Sequence, residues 1–309
     1  MSKVRVCFLG TPDFATVALK ALLQDEHFEV VGVVTQPDRP SGRKLQMTPS
    51  PVKSLAVSHG LKVLSPESLK NNPLIVDEIK TWGAEVGVVV AFGQILTEDF
   101  INLFHFGCVN IHGSLLPRWR GAAPIQRAVE AGDAVTGVTL QKIVKRLDAG
   151  DMLGTRKLVL NDEINAMEVH DQLAVLGADL LRVELMDYVR GHLAAIPQDE
   201  NFVTHAKKLD KAESLIDWSL DAVKIHNKVR GFAMGPGVYM NLAGKKLKIH
   251  KTKVSGEKSS KAPGKFFSEG DQIFVPTGDG LLELLIVQPE SRNRQSAEEF
   301  LKGHPDLKS

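Results

Sequence analysis

The sequence has little cysteine and no long hydrophobic run. Its two cysteines, Cys7 and Cys108, each lie within an apolar segment, which indicates reduced, buried thiols in a cytoplasmic protein and argues against a disulfide framework. No apolar run approaches the length of a membrane span, and the first three residues lead directly into a predicted strand. We therefore expect neither a membrane segment nor a signal peptide. The 309 residues, 43% of them hydrophobic, are sufficient for two globular domains.

Two kinds of ligand-binding motif are also absent. The first predicted β–α turn, residues 10–15, reads Gly-Thr-Pro-Asp-Phe-Ala. It lacks the second glycine that lets a backbone approach a pyrophosphate, which argues against a dinucleotide site. Neither H-E-x-x-H nor C-x-x-C occurs, and the ten histidines are scattered along the chain. We therefore expect no metal ion.

The formal net charge of +1 conceals an uneven distribution of charge. Residues 205–309 hold 18 Lys and Arg against 13 Asp and Glu, whereas residues 1–204 hold 20 against 24. The excess is concentrated in residues 245–265, which contain eight lysines and one acidic residue, Glu257. This patch favours a polyanionic partner for the C-terminal part of the chain. The alternative is a lysine-rich, solvated β-ribbon.

The pattern of apolar segments predicts two domains of different classes. Residues 4–9 form a continuous apolar run typical of a central parallel strand, and a helical segment and a second strand at residues 30–35 follow. This β–α–β opening predicts an α/β fold with a Rossmann-like, doubly wound, mostly parallel sheet over residues 1–191. A polar linker is expected over residues 192–208. Short alternating segments separated by Gly, Pro and Lys then predict a small antiparallel β-barrel over residues 209–309.

A long polar segment follows the second predicted strand. Residues 36–51 contain four prolines, one glycine and three basic residues, Arg39, Arg43 and Lys44. Loops of this length in compact domains are usually functional or disordered. Because the segment leaves the carboxyl end of a strand, where α/β proteins place their ligands, we interpret it as a basic arm that reaches over the active site. The alternative is a disordered segment.

The candidate active site is centred on residues 107–126. This stretch begins as an apolar strand, places Asn110 and His112 two residues apart, and continues into a Gly/Ser/Pro loop. Residues i and i+2 of a strand point to the same face, so these side chains are expected to be neighbours. An amide donor suits a developing oxyanion, and an imidazole suits proton transfer near neutral pH. Asp148, in a later loop, is expected to fix the tautomer of the imidazole.

Each of these residues also has a purely structural interpretation. His112 could be a hydrogen-bonded structural histidine, and Asp148 could be a turn residue. Ser114 could be a nucleophile, but it lacks the G-x-S-x-G elbow, and Cys108 is expected to be packed within its strand. Asn, His and Asp without an activated nucleophile fit direct acyl or formyl transfer between two bound molecules. Proximity and charge stabilisation would then supply most of the acceleration.

The central stretch resembles a known family. Residues 110–117, Asn-Ile-His-Gly-Ser-Leu-Leu-Pro, resemble the signature of the folate-dependent formyltransferases, and residues 147–151, Leu-Asp-Ala-Gly-Asp, resemble the aspartate loop of that family. Further matches extend the resemblance over nearly the whole chain, and they include residues 10–15, 35–40, 118–126, 216–219 and 277–280.

The resemblance implies 10-formyltetrahydrofolate as the formyl donor and the α-amino group of methionine esterified to initiator tRNA as the acceptor. It also implies that Asn110, His112 and Asp148 are catalytic, and that the C-terminal barrel is similar to an oligonucleotide-binding fold. We expect a monomer. The residues assigned to the folate site are Ser114, Leu115, Leu116 and Pro117. The residues assigned to tRNA are Arg39, Arg43, Lys44, Lys245, Lys246, Lys248 and Lys251.

The sequence departs from the family pattern at two places. Residues 231–237 lack the tryptophan and one of the prolines usual there, and residues 144–146, Val-Lys-Arg, are more basic than expected. Two other functions stay open at this point. A formyltransferase acting on a small amine would use the same trio, but it would leave the basic segments without a role. An RNA-binding protein with an inactive folate domain would not be expected to keep the trio intact.

Overall fold

The structure is a computed structural model that describes residues 3–41, 45–70, 72–257 and 259–307. Within them the chain forms two compact units. The first unit comprises Met1–Gly121, Thr136–Leu158 and His170–His205, and the second comprises Ala122–Val135, Val159–Val169 and Ala206–Ser309. The domain boundaries expected at residues 191 and 208 stay a prediction.

Strands and helices alternate through the first two thirds of the chain. In order they are β1 (Val4–Gly10), α1 (Asp13–Gln24), β2 (Phe28–Val34), β3 (Arg39–Ser41), β4 (Gln46–Thr48), α2 (Pro51–Ser58), β5 (Val63–Leu64), α3 (Pro73–Thr81), β6 (Val86–Val90), α4 (Glu98–Ile101), β7 (Cys108–His112), β8 (Arg120–Gly121), α5 (Pro124–Ala131), β9 (Val135–Lys142), β10 (Met152–Val159) and α6 (Ala166–Val189).

The first unit is organised around one sheet with the strand order β10-β9-β7-β6-β1-β2-β5. Strands β5, β2, β1, β6 and β7 run parallel to one another, and β9 is antiparallel to β7. The chain moves outward from β1 to β2 and β5, and then returns to the other side of β1 to form β6 and β7. This reversal is the topological switch point at which α/β sheets bind ligands. The Rossmann-like, mostly parallel sheet predicted from the sequence is confirmed.

The two cysteines lie in the core of this sheet. Cys7 on β1 and Cys108 on β7 are both paired in register with Gly87 on β6, which separates them. A Cβ atom on Gly87 would lie 2.6 Å from the Cys108 sulfur, so the strand must carry glycine there. Burial raises the pKa of both thiols well above the usual value, and both remain neutral thiols at physiological pH. The predicted buried, reduced cysteines are confirmed.

Part of the long polar segment is a hairpin. Strands β3 and β4 pair antiparallel, with Arg39 opposite Thr48 and Ser41 opposite Gln46. All residues of these strands are exposed, so neither face carries the apolar alternation by which sequence patterns indicate a strand. This explains why the sequence predicts only a loop over residues 36–51 and does not predict this hairpin. Residues 42–44, which include Arg43 and Lys44, lie outside the described residues.

The second unit contains an antiparallel sheet. The elements that follow α6 along the chain are β11 (His205–Ala206), α7 (Ala222–Gly231), β12 (Val238–Leu242), β13 (Lys245–Ser255), β14 (Phe267–Glu269), β15 (Gln272–Pro276), β16 (Leu281–Pro289), β17 (Gln295–Ser296) and α8 (Ala297–Lys302). The strand order is β12-β13-β16-β15-β14, and β17 pairs with β16. Helices α5 and α7 pack together in this unit, and α7 also packs on β13. Phe232, in the short turn that replaces the usual family sequence, is fully buried in the core of the unit.

Strand β13 keeps its lysines on the exposed side by means of an irregularity in its pairing. Leu247 and Ile249 point into the core, as the two-residue period of a strand requires. The register with β16 then shifts around Lys251, and the buried position moves to Thr252. A bulge of this kind changes the face on which the following residues point. The exposed lysines of β13, here called the basic face, are Lys245, Lys246, Lys248, Lys251 and Lys253.

Among the described residues, none of the helices is long and apolar enough to cross a membrane. The cytoplasmic location expected from the cysteine content stays a prediction, as does the monomeric state.

Candidate active site

Asn110 and His112 lie on β7, the last of the parallel strands, and His112 is its final residue. Asn110 is paired with Val89 of β6 on one side and with Gln141 of β9 on the other. Its side chain is half-buried, and among the described residues no protein group accepts or donates a hydrogen bond to its amide. The Asn110 amide is therefore available to bind a ligand at the carboxyl edge of the sheet.

The imidazole of His112 is held between two hydrogen-bond acceptors. The side chain is only 6% exposed. Its Nε2 lies 2.9 Å from the Trp119 carbonyl oxygen, and because a carbonyl only accepts, Nε2 is the donor. Its Nδ1 lies 3.6 Å from Oδ1 of Asp148, which is the distance of an ion pair and exceeds that of a hydrogen bond. A ring that carries two protons would therefore have an acceptor facing each nitrogen.

Asp148 is oriented by two other groups. Its Oδ2 accepts a hydrogen bond of 2.8 Å from the backbone N–H of Gly121, and its Oδ1 accepts one of 3.1 Å from Nε2 of Gln141. The backbone of Asp148 is left-handed, with φ at +48°, a conformation that costs energy for any residue other than glycine but that Asp tolerates better than most. The carboxylate is thus held toward His112 by surrounding structure.

A glycine in the aspartate loop allows the chain to pass close to β9. A Cβ atom on Gly150 would lie 1.8 Å from the carbonyl oxygen of Lys142, the last residue of β9. The neighbouring backbone is fixed there by the hydrogen bond of 2.9 Å from Lys142 N–H to the carbonyl of Asp151. Only glycine fits this approach, which brings the loop carrying Asp148 back to the sheet.

The loop predicted to line the folate site is fixed to β9. The hydroxyl of Thr139 donates to the Ser114 carbonyl at 2.7 Å and accepts from the Leu116 N–H at 3.1 Å. Ser114 is fully buried, and its own hydroxyl donates to the Arg118 carbonyl at 2.6 Å. Leu116 is buried as well, whereas Leu115 and Pro117 are partly exposed. The side chain of Ser114 therefore has a structural role, and the part of this loop open to a ligand is backbone and the edges of Leu115 and Pro117.

Three buried polar side chains support this site. Gln141 lies on β9, Gln198 lies in the segment predicted to be a linker, and Arg120 follows the signature loop. Gln198 donates to the carbonyl oxygens of Asp148 at 2.9 Å and Gly150 at 2.7 Å. Reasoning from the residues alone did not assign any of the three. A glutamine in the apolar run of β9 was a usable signal for Gln141, whereas nothing local marks Gln198.

One of the two basic residues in the segment 144–146 is explained by this network. Arg146 forms an ion pair with Glu200, which also accepts a hydrogen bond of 2.9 Å from Arg120. The hydrogen bonds from Arg120 and Arg146 lower the pKa of Glu200. The extra basic residue at position 146 thus neutralises an acidic residue near the aspartate loop.

Comparison with known proteins places the chain in a family. A family model described as formyl transferase matches residues 3–182, and one described as formyl transferase, C-terminal domain, matches residues 208–305. Methionyl-tRNA formyltransferase of Bdellovibrio bacteriovorus is 66% identical to this chain over 308 residues, which cover 98% of this chain and 97% of that protein. The chain belongs to the methionyl-tRNA formyltransferase family.

Other relatives agree with this assignment. Methionyl-tRNA formyltransferase of Methylococcus capsulatus is 44% identical over 301 residues, 97% of each protein. The resemblance to the formyltransferases predicted from the sequence is confirmed, and the chain is an enzyme of this one-carbon transfer family.

Two solved structures show the same fold at low sequence identity. WlaRD, a sugar 3N-formyl transferase with dTDP and 5-N-formyl-THF present, has a TM-score of 0.69 and 16% identity over 95% of this chain and 100% of its own. HypX from Aquifex aeolicus, in complex with tetrahydrofolic acid, has a TM-score of 0.67 and 16% identity over 100% of this chain. This chain spans about half of HypX, 49% of its length.

Five of the seven residues assigned to tRNA lie within the described residues, and all five are exposed. Arg39 is exposed on the hairpin of the first unit and forms an ion pair of 3.0 Å with Glu67. In the second unit, Lys246 lies over the ring of Tyr239 at 4.7 Å, and Lys251 lies 3.6 Å from a carboxylate oxygen of Glu163. Lys245 and Lys248 are exposed on the same strand.

Within the described ranges, no cluster of three His, Cys, Asp or Glu side chains could hold a metal ion.

Proposed function

We propose that this chain transfers the formyl group of 10-formyltetrahydrofolate to the α-amino group of methionine esterified to initiator tRNA. The observation that carries the proposal is the arrangement of a free Asn110 amide and a buried His112–Asp148 pair at the carboxyl edge of the parallel sheet. The family membership supports the same reaction, because the relatives that cover nearly all of this chain are methionyl-tRNA formyltransferases.

Asn110 and His112 stabilise the charge that develops during the transfer. The neutral methionyl amine attacks the formyl carbon, a C–N bond forms, and the carbonyl electrons move to the oxygen. The Asn110 amide donates a hydrogen bond to this oxyanion, and protonated His112 places positive charge beside it. Preorganised donors of this kind are usually the largest single contribution to catalysis of acyl transfer.

Asp148 holds His112 for this role. Its carboxylate faces Nδ1, and the Trp119 carbonyl binds Nε2, so both protons of the charged ring have an acceptor. When the tetrahedral intermediate collapses, the bond between the formyl carbon and N10 of the folate breaks. The proton released by the amine is transferred to N10, which gives formylmethionyl-tRNA and tetrahydrofolate.

The folate is held by the loop of Ser114, Leu115, Leu116 and Pro117. Because Thr139 fixes the Ser114 carbonyl and the Leu116 N–H, this loop is rigid before the ligand arrives. Rigid positioning of two reactants is what a direct transfer between bound molecules requires.

The tRNA is bound by the basic residues of both units. In this proposal Arg39, Arg43 and Lys44 contact the acceptor end, and Lys245, Lys246, Lys248 and Lys251 contact the phosphate backbone. Each phosphate neutralised by a lysine releases counterions, so binding should weaken steeply as the salt concentration rises.

A formylation assay tests this function. The purified chain is given 10-formyltetrahydrofolate and, in parallel reactions, Met-charged initiator tRNA, Met-charged elongator tRNA or a small amine. Rapid formylation of initiator Met-tRNA and slow formylation of the small amine are expected. Comparable rates with a small amine, such as an amino sugar nucleotide, would contradict the proposed substrate while leaving formyl transfer itself intact.

A further inference from the structure

Residues 196–204 form a segment here called the support segment. It hydrogen-bonds to the aspartate loop and to Trp119 and Arg120, which follow the signature loop. Gln198 is its most buried polar side chain, with 9% of its surface exposed. The amide of Gln198 donates to the Asp148 carbonyl at 2.9 Å and to the Gly150 carbonyl at 2.7 Å, and its oxygen accepts from Nε of Arg120 at 3.0 Å. These bonds satisfy both ends of the Gln198 amide and two carbonyls of the aspartate loop.

Arg120 fixes the Gln198 side chain in this orientation. The Arg120 side chain is 3% exposed, and in addition to Gln198 it binds Oε1 of Glu200 at 2.9 Å. Because the guanidinium only donates, it must face the oxygen of the Gln198 amide, which turns the NH2 group toward the aspartate loop. A second glutamine, Gln141, is 3.3 Å from the same NH2 group and itself donates to Asp148 Oδ1.

The same segment also supports the residue that holds His112. The hydroxyl of Thr204 accepts a hydrogen bond of 2.9 Å from the Trp119 N–H, and the Thr204 carbonyl accepts one of 2.9 Å from the Arg120 N–H. Trp119 has a left-handed backbone, with φ at +66°, and its carbonyl oxygen binds Nε2 of His112. The support segment therefore fixes both residues that face the imidazole.

We propose that Gln198 is a positioning residue for formyl transfer, which acts by holding the aspartate loop so that the Asp148 carboxylate faces His112. The proposal rests on the proposed function, because it assigns Gln198 a role through Asp148. The backbone of Asp148 is left-handed, a conformation that costs energy, and the loop contacts β9 closely at Gly150. Two hydrogen bonds from one buried amide, to the carbonyls of Asp148 and Gly150, keep the loop in that position.

The first test replaces Gln198 and measures formylation. Gln198→Met keeps the volume and removes all four hydrogen bonds of the amide. Gln198→Glu keeps an acceptor for Arg120 but cannot donate to the two carbonyls, so it remains available if the methionine variant does not fold. We expect kcat to fall by about a hundredfold in both, as a displacement of about 1 Å in a catalytic group can cause, with KM for both substrates nearly unchanged. Gln24→Met, the same substitution at an exposed glutamine at the end of α1, is the control and should retain the wild-type kcat.

The second test is a double-mutant cycle with Asp148→Asn. If Gln198 acts through the Asp148 carboxylate, Gln198→Met should lower kcat little or not at all in the Asp148→Asn background. Independent, multiplicative losses, or a wild-type kcat for Gln198→Glu, would overturn the positioning role. If Asp148→Asn alone leaves formylation at the wild-type rate, the proposed function of the trio fails instead, so the two failures are distinguishable.

Discussion

The side chains of the candidate site differ in whether other protein groups bind them. His112 and Asp148 each have neighbours that fix them, whereas the Asn110 amide has none among the described side chains. If a bound ligand excludes water from this edge of the sheet, an amide donor left without an acceptor there costs free energy. In the proposed reaction, Asn110 is therefore the member of the trio whose side chain is open to the oxyanion.

Replacement of Asn110 should show this directly. Asn110→Ala removes the donor to the oxyanion, and the loss of one such donor typically lowers kcat by about a hundredfold or more. Steady-state formylation of Met-charged initiator tRNA measures the effect, and the KM for the folate should change little. Asn102→Ala, at an exposed position before β7, is the matched control. A kcat within twofold of wild type for Asn110→Ala would show that the amide is not the donor.

Gly150 permits a second prediction from a single residue. Gly150→Ala places a methyl group 1.8 Å from the Lys142 carbonyl oxygen, and a packed interior cannot absorb such an overlap without displacement of the backbone. The aspartate loop should move, so both kcat and the unfolding temperature should fall. Gly256→Ala, where a Cβ atom meets nothing within 4 Å, should change neither. A fully active Gly150→Ala would mean that the loop geometry does not matter for catalysis.

At the scale of elements, strand β13 combines a core face with a charged face. The shift in its register keeps Lys251 and Lys253 on the same side as Lys246 and Lys248, although the sequence alternation alone would place them on opposite sides. The net result is one row of positive charge along the strand. Such a row is suited to the regular spacing of phosphates.

Charge reversal on this strand should weaken tRNA binding and leave folate binding intact. Lys246→Glu combined with Lys248→Glu is expected to raise the Kd for initiator tRNA by at least tenfold and to reduce the slope of log Kd against log salt concentration. Filter binding or fluorescence anisotropy measures both quantities. Lys20→Glu combined with Lys80→Glu, at two exposed lysines on α1 and α3, controls for the change in net charge. Equal weakening by the control would indicate a general electrostatic effect and no specific role for the strand.

The elements that the sequence predicts best are those whose burial follows a period. The continuous apolar runs of β1 and β6 and the alternation along β12 and the first half of β13 are local signals, and the structure has strands there. The hairpin of β3 and β4 has no buried face, so no period marks it. Gln198 lies in a polar segment with no period at all, and its contacts join residues about fifty positions apart in the sequence. Positions of this kind depend on tertiary structure, which a local pattern does not contain.

The molecule as a whole separates its proposed chemistry from the basic face. The trio and its supporting network belong to the first unit, and the basic face belongs to the second. From its charge imbalance, the sequence predicted a polyanionic partner for residues 205–309, which include the basic face. It could not predict that residues 122–135 and 159–169 belong to the second unit, because the packing of α5 against α7 joins segments about a hundred residues apart.

An ion pair beside that packing should make the stability of the molecule depend on pH. Arg127 of α5 binds both carboxylate oxygens of Glu213, at 2.8 and 2.9 Å, and these bonds lower the pKa of Glu213 to about 2. A carboxylate whose pKa is lowered by folding stabilises the native state above its unfolded pKa of about 4.3, and this contribution is lost as the pH falls toward the folded value.

Glu213→Gln should therefore lower the urea midpoint at pH 7, and its difference from wild type should shrink between about pH 5 and pH 2. In an Arg127→Met background the same substitution should have a much smaller effect that changes little with pH. A constant difference from pH 7 to pH 2 between wild type and Glu213→Gln would show that Arg127 does not stabilise the ionised carboxylate.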